Sequence, residues 1–425
     1  MENTDAMENG SLKAGSGIAF VIGVFFSFRL AISILSMKLF GADPQTGSAI
    51  RLGLSFFFLC AVCFTSLGDG TRKISWLLQP SSVRWAIFFL FFSGFSFFWS
   101  ETASMPASMA YWCGTALDVA TVLLLLRAGA FLEVVASIMK GFVWAACCIA
   151  LIAWLMPTQS DLRLGDPNFF NSNSICNVCV FAVFFAQYLM RRHHEKWGLI
   201  TLFLIVTILR SLSKTTIAAF LVSEVYLVIQ DRSMSRRSKL FLTTAAILVI
   251  LVFWGLFEAY YNLYTTNGNQ AETLTGRTAI WSYVLDAATE RPWIGHGFDS
   301  MWNVVPTFGT FEARHAENEL LEQLYSYGVV GVLTICGVYI SLYRDIRRSA
   351  HESLKVIFAS VVLFVVVRGF AEAEPFDLLL PLWIVVLMGL LVCNDTEETT
   401  AETLLYSSEK NPFDSSQPAA GISYP

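Results

Sequence analysis

The sequence predicts an all-α polytopic membrane protein, and three observations support that fold class. Hydrophobic residues make up 55% of the 425 residues, whereas charged residues make up only 14%. Soluble domains contain about 25% charged residues, so the chain lies well outside their range. Several apolar runs also reach the roughly 20 residues that a helix needs to cross a bilayer.

About twelve spans are expected from the positions of these apolar runs. They are placed at 16–40, 50–67, 85–100, 108–127, 131–156, 169–190, 197–212, 214–230, 239–258, 319–343, 353–371 and 376–393. The transmembrane domain is therefore expected to cover 15–393, between disordered cytoplasmic segments at 1–14 and 394–425. The first segment lacks the basic region and cleavage site of a signal peptide, so the first span should be retained.

Basic residues concentrate in alternate connections, and the connections rich in Lys and Arg lie in the cytoplasm of membrane proteins. They are Arg72, Lys73, Arg84, Arg127, Arg191, Arg192, Lys196, Arg232, Arg236, Arg237, Lys239, Arg344, Arg347, Arg348 and Lys355. The loop 259–318 then faces outward. It is far longer than a usual connection, and we expect it to cover an active site.

A smaller set of cations falls on or near the outer face, where the same rule disfavours them. The set consists of Arg163, Arg210, Lys214, Arg277, Arg314 and Arg368. Each alone is explained as well by snorkelling or by a structural ion pair. Because six come from separate segments, we hypothesise that they converge on an anionic ligand, and arginine suits phosphate through bidentate hydrogen bonds.

Residues 275–290 show the pattern of a short amphipathic helix at the outer interface. Its apolar face would consist of Ile280, Trp281, Val284, Leu285 and Ala288. Thr275 is expected to cap its start and Pro292 to end it. Arg277 would then lie in the first turn, where free backbone N–H groups favour an anion. Contact with lipid headgroups is an equally simple role for Arg277.

Residues 314–322 combine basic, imidazole and carboxylate side chains directly before a span. His315 and Glu317 are candidates for acid–base chemistry, because an apolar surface next to them can shift their pKa values toward neutrality. A capping role for His315 remains open, and so does a zinc site built from His296, His315 and Glu319, although no HExxH pattern is present. The nine cysteines lie in apolar runs and are interpreted as packing, and no cofactor is expected.

Five motifs in order resemble those of the O-antigen ligase and O-antigen or exopolysaccharide polymerase superfamily of bacterial membrane proteins. They are Trp99-Ser100 with Pro106; Gly165 to Asn168; Ser211 to Thr215; Gly276-Arg277 with Trp281, Pro292, Gly295 and Gly297; and Ala316 to Asn318 with Leu320, Gly328 and Gly331. Each motif is weak alone, and the order and spacing around one long outer loop make the resemblance more specific.

The resemblance implies a GT-C-like, metal-independent glycosyltransferase of the bacterial inner membrane with its active site facing the periplasm. Its donor would be an undecaprenyl-diphosphate-linked glycan and its acceptor a glycan or a lipid, with other polysaccharide-assembly proteins as possible partners. Arg277 matches a family arginine, and Lys214 replaces another. Glu317 stands where the family has histidine, with His315 two residues earlier, so either is the implied base. Together with the convergence hypothesis above, this makes Arg277, Lys214, Arg210, Arg314 and Arg163 the candidate diphosphate ligands.

Two other classes compete with the enzyme. A transporter or flippase would place its binding charges near the bilayer midplane and often shows repeat symmetry. A structural partner in a polysaccharide assembly complex would need none of the outer cations. The sequence contains no nucleic-acid-binding patch.

Overall fold

The computed structural model of the protein describes residues 2–410, with short gaps at 42–43, 70–71, 128–129, 158, 160–161, 167–169, 233, 238, 303 and 307–313 and a broken description through 241–268. Its helices are α1 (Glu2–Phe40), α2 (Pro44–Asp69), α3 (Ile74–Leu77), α4 (Ser81–Phe95), α5 (Met105–Arg127), α6 (Phe131–Leu155), α7 (Ser172–Arg192), α8 (Gly198–Arg210), α9 (Lys214–Gln230), α10 (Asn269–Glu290), α11 (Glu319–Arg348), α12 (Glu352–Gly369) and α13 (Leu382–Lys410). The described residues include no strand beyond a bridge between Asp166 and Phe170.

This architecture agrees with the predicted all-helical, multi-pass membrane class. Within the described residues, seven helices are long and apolar enough to cross a membrane, namely α1, α2, α4, α5, α6, α7 and α11. Helix α8 is apolar but shorter. The count of twelve stays a prediction, and the ninth expected span at 239–258 falls largely outside the described residues.

Several helix ends differ from the expected ones. Helix α13 begins at Leu382 rather than at 376, because proline lacks a backbone N–H and is tolerated only at the beginning of a helix. The carbonyl of Pro381 accepts from Ile384 N at 2.8 Å, so the first turn starts there. The same helix continues to Lys410, beyond the expected start of the tail at 394. Helix α1 likewise begins at Glu2, within the segment 1–14 that was expected to be disordered.

Helices α1 and α6 pack closely along their length through small residues. A Cβ added to Gly23 would lie 2.0 Å from the carbonyl oxygen of Ile138, and one added to Gly141 would lie 2.0 Å from that of Phe20. Glycine at both positions therefore lets the two backbones touch, as is common between membrane helices. The pair anchors α1 to the centre of the bundle.

One end of the bundle gathers the connections that carry the candidate site, and we call it the loop face. It comprises the described residues within 99–104, 156–171, 211–213, 291–318 and 370–381. Hydrogen bonds join these connections: Glu101 N to His296 O at 2.9 Å, Asn318 Nδ2 to Phe370 O at 3.1 Å, and Arg210 Nη1 to Leu162 O at 2.8 Å. Segments far apart in sequence thus meet at one face.

The α1–α6 contact generates a stability prediction. Gly141→Ala should lower the free energy of unfolding by about 1–3 kcal/mol, because the new methyl group overlaps the Phe20 carbonyl. The measurement is the thermal unfolding temperature of the protein in detergent. Gly17→Ala is the matched control, since a Cβ at Gly17 meets nothing within 4 Å. Equal unfolding temperatures for both variants would contradict the close contact.

Candidate active site

Asn318 fixes the start of α11 against a neighbouring connection. Its Oδ1 accepts from Leu321 N at 3.1 Å, which is the hydrogen bond of a helix N-cap. Its Nδ2 donates to the carbonyl of Phe370 at 3.1 Å. One side chain therefore caps α11 and ties it to residues 370–381.

Glu317 adopts an uncommon backbone conformation directly before this cap. Its φ is +52°, in the left-handed region that non-glycine residues seldom occupy. The preceding Ala316 is held from both sides: its N–H donates to Glu322 Oε2 at 2.7 Å, and its carbonyl accepts from Trp281 Nε1 at 2.9 Å. Such strain persists only where neighbours enforce it, and it is frequent at functional sites.

The three residues Arg277, His315 and Glu317 lie together at the loop face. Arg277 Nη2 is 2.9 Å from Glu317 Oε2, and His315 Nε2 is 3.8 Å from the other carboxylate oxygen, Oε1. The backbone N–H of Glu317 donates to His315 Nδ1 at 3.2 Å. The structure thus joins the candidate diphosphate ligand to both candidate bases.

Arg277 reaches this position from the middle of a helix, which corrects the sequence prediction. Helix α10 begins at Asn269, so Thr275 is inside the helix and Arg277 lies about two turns from the start. The expected anion site at a helix N-terminus is therefore wrong. Ala271, Glu272 and Leu274 favour helix, and they extend it before Thr275.

The apolar face of α10 packs against protein, largely as its pattern predicts. Ile280, Val284 and Ala288 are buried, whereas Leu285 is half exposed. Ile280 and Val284 belong to a small cluster with Met301 and Tyr325. This packing fixes the position of Arg277 next to the start of α11.

A second ion pair joins Arg368, in the last turn of α12, to Glu372, in the connection that follows. Both side chains are almost completely buried, and Arg368 Nη2 lies 3.9 Å from Glu372 Oε2. The other oxygen, Oε1, accepts from Asn173 Nδ2 at 2.5 Å and from Thr215 Oγ1 at 3.4 Å. Arg368 Nε and Nη1 are buried and have no hydrogen-bond partner in the described part of the chain.

Carboxylates control the charge of His315. Burial alone would lower the pKa of His315, but four carboxylates together raise it above its ordinary value; they are Glu317, Glu372, Glu322 and Glu374. Burial raises the pKa of Glu372, and the cations Arg368, His315 and Arg277 oppose that shift. Charges from α10, α11 and the 370–381 connection therefore act on one another.

A break in α11 holds the loop in place. At Gly328 the backbone leaves the helical conformation with φ +63°, and a Cβ there would lie 2.4 Å from the Trp293 carbonyl carbon. The backbone groups on both sides of the break pair with the segment 292–297. These bonds are Val329 N to Pro292 O at 2.8 Å, Val330 N to Trp293 O at 3.2 Å, His296 N to Tyr325 O at 2.9 Å and Gly297 N to Ser326 O at 2.7 Å.

His296 and Glu319, the other residues of the zinc alternative, are engaged elsewhere. His296 Nδ1 lies 2.9 Å from Glu101 Oε2, and its Nε2 lies 3.2 Å from the Ala287 carbonyl. Glu319 Oε1 accepts from Tyr339 Oη at 2.7 Å and from Leu379 N at 2.9 Å. Within the described ranges, no three His, Cys, Asp or Glu side chains assemble as a metal site.

The remaining predicted cations occupy separate places on the loop face. Lys214 is the exposed first residue of α9, next to the Thr215 that contacts Glu372. Arg210 donates to the Leu162 carbonyl beside Arg163. The Cζ atom of Arg314 lies 5.5 Å from the centroid of the Trp302 ring. None of the six cations lines the cavity of about 290 Å³ between α1, α2, α5, α7 and the 370–381 connection.

Two acidic residues near the site, Glu372 and Glu374, were missing from the predicted set. The sequence signal was the run Ala371 to Pro375 between two spans, on the same side as the unexplained cations. Buried cations need anionic partners, so carboxylates in an adjoining short connection were the natural candidates.

Comparison with known proteins finds a family match for a segment in the middle of the chain. Residues 199–336 match the family model described as O-antigen ligase. A segment of 100 residues is 25% identical to an O-antigen ligase from Pseudomonas aeruginosa, covering 24% of this chain and 25% of that protein. The chain thus matches about a quarter of the length of that relative.

The matched range contains the site residues Lys214, Arg277, His315 and Glu317, whereas Arg368 and Glu372 lie beyond it. The motifs at Trp99 and Gly165 precede it. The resemblance predicted from the loop motifs is confirmed, because residues 199–336 of this membrane protein match the O-antigen ligase family model.

Proposed function

We propose that the protein is a glycosyltransferase of the bacterial inner membrane that transfers a glycan from an undecaprenyl-diphosphate carrier on the periplasmic face. The observation that carries this proposal is the contact between Arg277 and Glu317. Glu317 and the neighbouring His315 form the candidate acid–base pair, and all three residues lie in the segment that matches the O-antigen ligase family model. In this proposal the loop face is periplasmic. The acceptor is a lipopolysaccharide core or a second lipid-linked glycan.

Arg277 is the proposed ligand for the donor diphosphate. Its guanidinium already holds an anion, the Glu317 carboxylate, at 2.9 Å. A diphosphate offers the same charge-assisted hydrogen bonds with more negative charge, so it would replace the carboxylate. Arg368 supports this assignment, because two of its buried guanidinium nitrogens have no hydrogen-bond partner among the described residues.

Glu317 is the proposed base, and His315 is its proton-bearing neighbour. Because His315 Nδ1 accepts from the Glu317 backbone N–H, the proton of the neutral ring lies on Nε2. The imidazolium also carries a proton there. Glu317 Oε1 faces that nitrogen, and departure of Arg277 to the diphosphate would free Oε2 for the acceptor hydroxyl.

The proposed reaction forms one glycosidic bond and breaks one glycosyl–phosphate bond. The acceptor oxygen forms a bond to the anomeric carbon, and its proton passes to Glu317. The bond between that carbon and the diphosphate oxygen breaks, and the lipid diphosphate leaves with the electron pair. Arg277 stabilises the developing charge on the leaving group. Attack opposite the diphosphate inverts the anomeric centre.

A transporter is the second candidate, and the position of the charges disfavours it. Arg277, Glu317 and Glu372 lie in or beside connections at one end of the bundle, whereas transporters bind near the midplane. Incubating the purified protein with lipid-diphosphate oligosaccharide and either acceptor separates the two functions. Transport of the carrier lipid across vesicles without any glycan product would favour the transporter.

Arg277→Ala should reduce kcat/KM for the donor by about 10²–10³-fold, the loss typical of removing a group that stabilises transition-state charge. Arg277→Lys should retain part of the activity, since it keeps the charge but loses the planar fork. Glycan transfer is measured at equal amounts of folded protein. Arg236→Ala, at an exposed arginine outside the loop face, is the control. Normal turnover by Arg277→Ala would exclude the diphosphate role.

Glu317→Gln should lower kcat by about 10²–10⁴-fold, the usual contribution of a general base. His315→Gln keeps a donor amide near Glu317, so its loss should be about tenfold or less. Single-turnover transfer with both variants decides between the two residues. A larger loss for His315→Gln than for Glu317→Gln would reverse their roles.

The pH dependence gives an independent check, because a base acts only when deprotonated. The pKa of His315 is raised, so a His315 base would place the ascending limb of kcat/KM above pH about 6.5. An ascending limb below that pH would exclude His315 as the base. Replacing Glu372 by Gln removes one carboxylate that raises the pKa of His315, so with His315 as the base it would move the limb to lower pH.

A further inference from the structure

A cavity bounded by described residues shares the 370–381 connection with the proposed active site. Its volume is about 290 Å³, and its walls come from α1, α2, α5, α7, the start of α13 and the 370–381 connection. Arg277, His315 and Glu317 do not line it. An apolar cavity of about 150 Å³ accepts a benzene ring, so this one has room for about one sugar ring with its hydroxyl groups.

Three residues that line this cavity each carry a buried side-chain atom that has no hydrogen-bond partner in the described part of the chain. The atoms are Ser27 Oγ, Arg51 Nε and Asn177 Oδ1. Buried polar atoms are nearly always paired. A hydroxyl, a guanidinium and an amide around one space therefore suit an occupant that both donates and accepts hydrogen bonds.

The charges around the cavity are mixed, which argues against a diphosphate as the occupant. Arg29 is paired with Asp118, and Ser55 Oγ donates to the same carboxylate at 3.1 Å. Asp377 accepts from the backbone N–H of Leu378 at 2.8 Å. Arg51 Nη2 donates to Ser48 Oγ at 3.1 Å, and the Arg51 guanidinium also interacts electrostatically with Asp118.

The remaining wall is aromatic and polar. The rings of Tyr111 and Phe376 stack with centroids 4.1 Å apart, and Thr115 Oγ1 donates to the Phe376 carbonyl at 3.3 Å. Aromatic surface beside neutral hydrogen-bonding groups suits a sugar ring, whose C–H and O–H groups need both. A neutral polyhydroxylated ligand therefore fits better than a phosphate.

Glu374 connects the cavity with the proposed active site. It lines the cavity, and its carboxylate is one of those whose charge acts on His315. A second cavity of about 10 Å³ is lined by Glu374, Phe376 and Glu322, whose carboxylate holds the Ala316 backbone. The 374–376 segment thus borders both cavities, and the second cavity reaches the carboxylate that holds Ala316, the residue before Glu317.

We propose that this cavity binds the terminal sugar of the glycan acceptor, with Arg51, Ser27 and Asn177 as its hydrogen-bonding partners and Tyr111 and Phe376 as its apolar wall. This inference rests on the proposed function, because the bound sugar would anchor an acceptor whose reacting hydroxyl extends out of the cavity to Glu317. The donor occupies the Arg277 side of the 370–381 connection, and the acceptor occupies the Arg51 side.

Gly114 offers a direct test. It lines the cavity, and a Cβ added to it meets nothing within 4 Å. Gly114→Leu should therefore fill the cavity without disturbing its walls. With undecaprenyl-diphosphate-linked oligosaccharide as donor and lipopolysaccharide core as acceptor, we expect the acceptor KM to rise about tenfold or more. The donor KM should stay unchanged.

Gly53→Leu is the matched control, because Gly53 also has open space around it but does not line the cavity. Arg51→Gln is a second variant in case Gly114→Leu folds poorly, and it should raise the acceptor KM similarly. Unchanged acceptor KM values in both folded variants would overturn the acceptor site while leaving the proposed function intact.

Direct binding separates this inference from the proposed function if the wild-type protein transfers no glycan. The probes are methyl glucoside, methyl galactoside and methyl N-acetylglucosaminide, observed by saturation-transfer NMR with protein in nanodiscs. Binding to the wild-type protein and to Gly53→Leu, but not to Gly114→Leu, would retain a sugar site in the cavity. Binding to none of them would mean a water-filled cavity and overturn the inference.

Discussion

Backbone hydrogen bonding at the break in α11 is the constraint on which the loop face depends. A helix in a membrane normally satisfies its own N–H and C=O groups, because lipid provides no partners. Gly328 interrupts that pattern, and residues 292–297 supply the missing partners on both sides of the break. The loop is therefore part of the helix packing. The same bonds place α10, and with it Arg277, against the start of α11.

Charge pairing is the second level of organisation. Arg277 and Arg368 are each matched by a carboxylate, Glu317 and Glu372, so neither cation is left uncompensated at low dielectric. A resting site of this kind is ready for an anionic substrate, because the incoming phosphate replaces a carboxylate of similar hydrogen-bonding geometry. Glu317 would then change from an ion-pair partner to a free carboxylate at the moment the donor binds.

The 370–381 connection divides the loop face into two environments. Glu372 faces the paired charges around Arg277, whereas Phe376 and Asp377 face the cavity with Arg51. Non-helical backbone at such a position must be covered by protein, and Leu378, Leu379 and Leu380 are indeed buried. In the proposed function, the two substrates approach one base from opposite sides of this segment.

Sequence reasoning was most successful where local pattern carries the information. Apolar runs predicted the helical membrane class, and motif order around Arg277 and Glu317 predicted the family of residues 199–336. It was wrong about the start of α10, because Thr275 is a good cap but the residues before it are also good helix formers. It also placed the last span over 376–381, where apolar side chains line a buried connection instead.

The sequence by itself determined that the chain is a helical membrane protein with a polar, motif-bearing loop, since hydropathy and motif spacing are properties of adjacent residues. Only the tertiary structure decided that Arg277 contacts Glu317, that Glu372 lies beside them and that Arg51 lines a separate cavity. Those contacts join residues from different helices, and the packing of α11 with its break at Gly328 determines which of them meet.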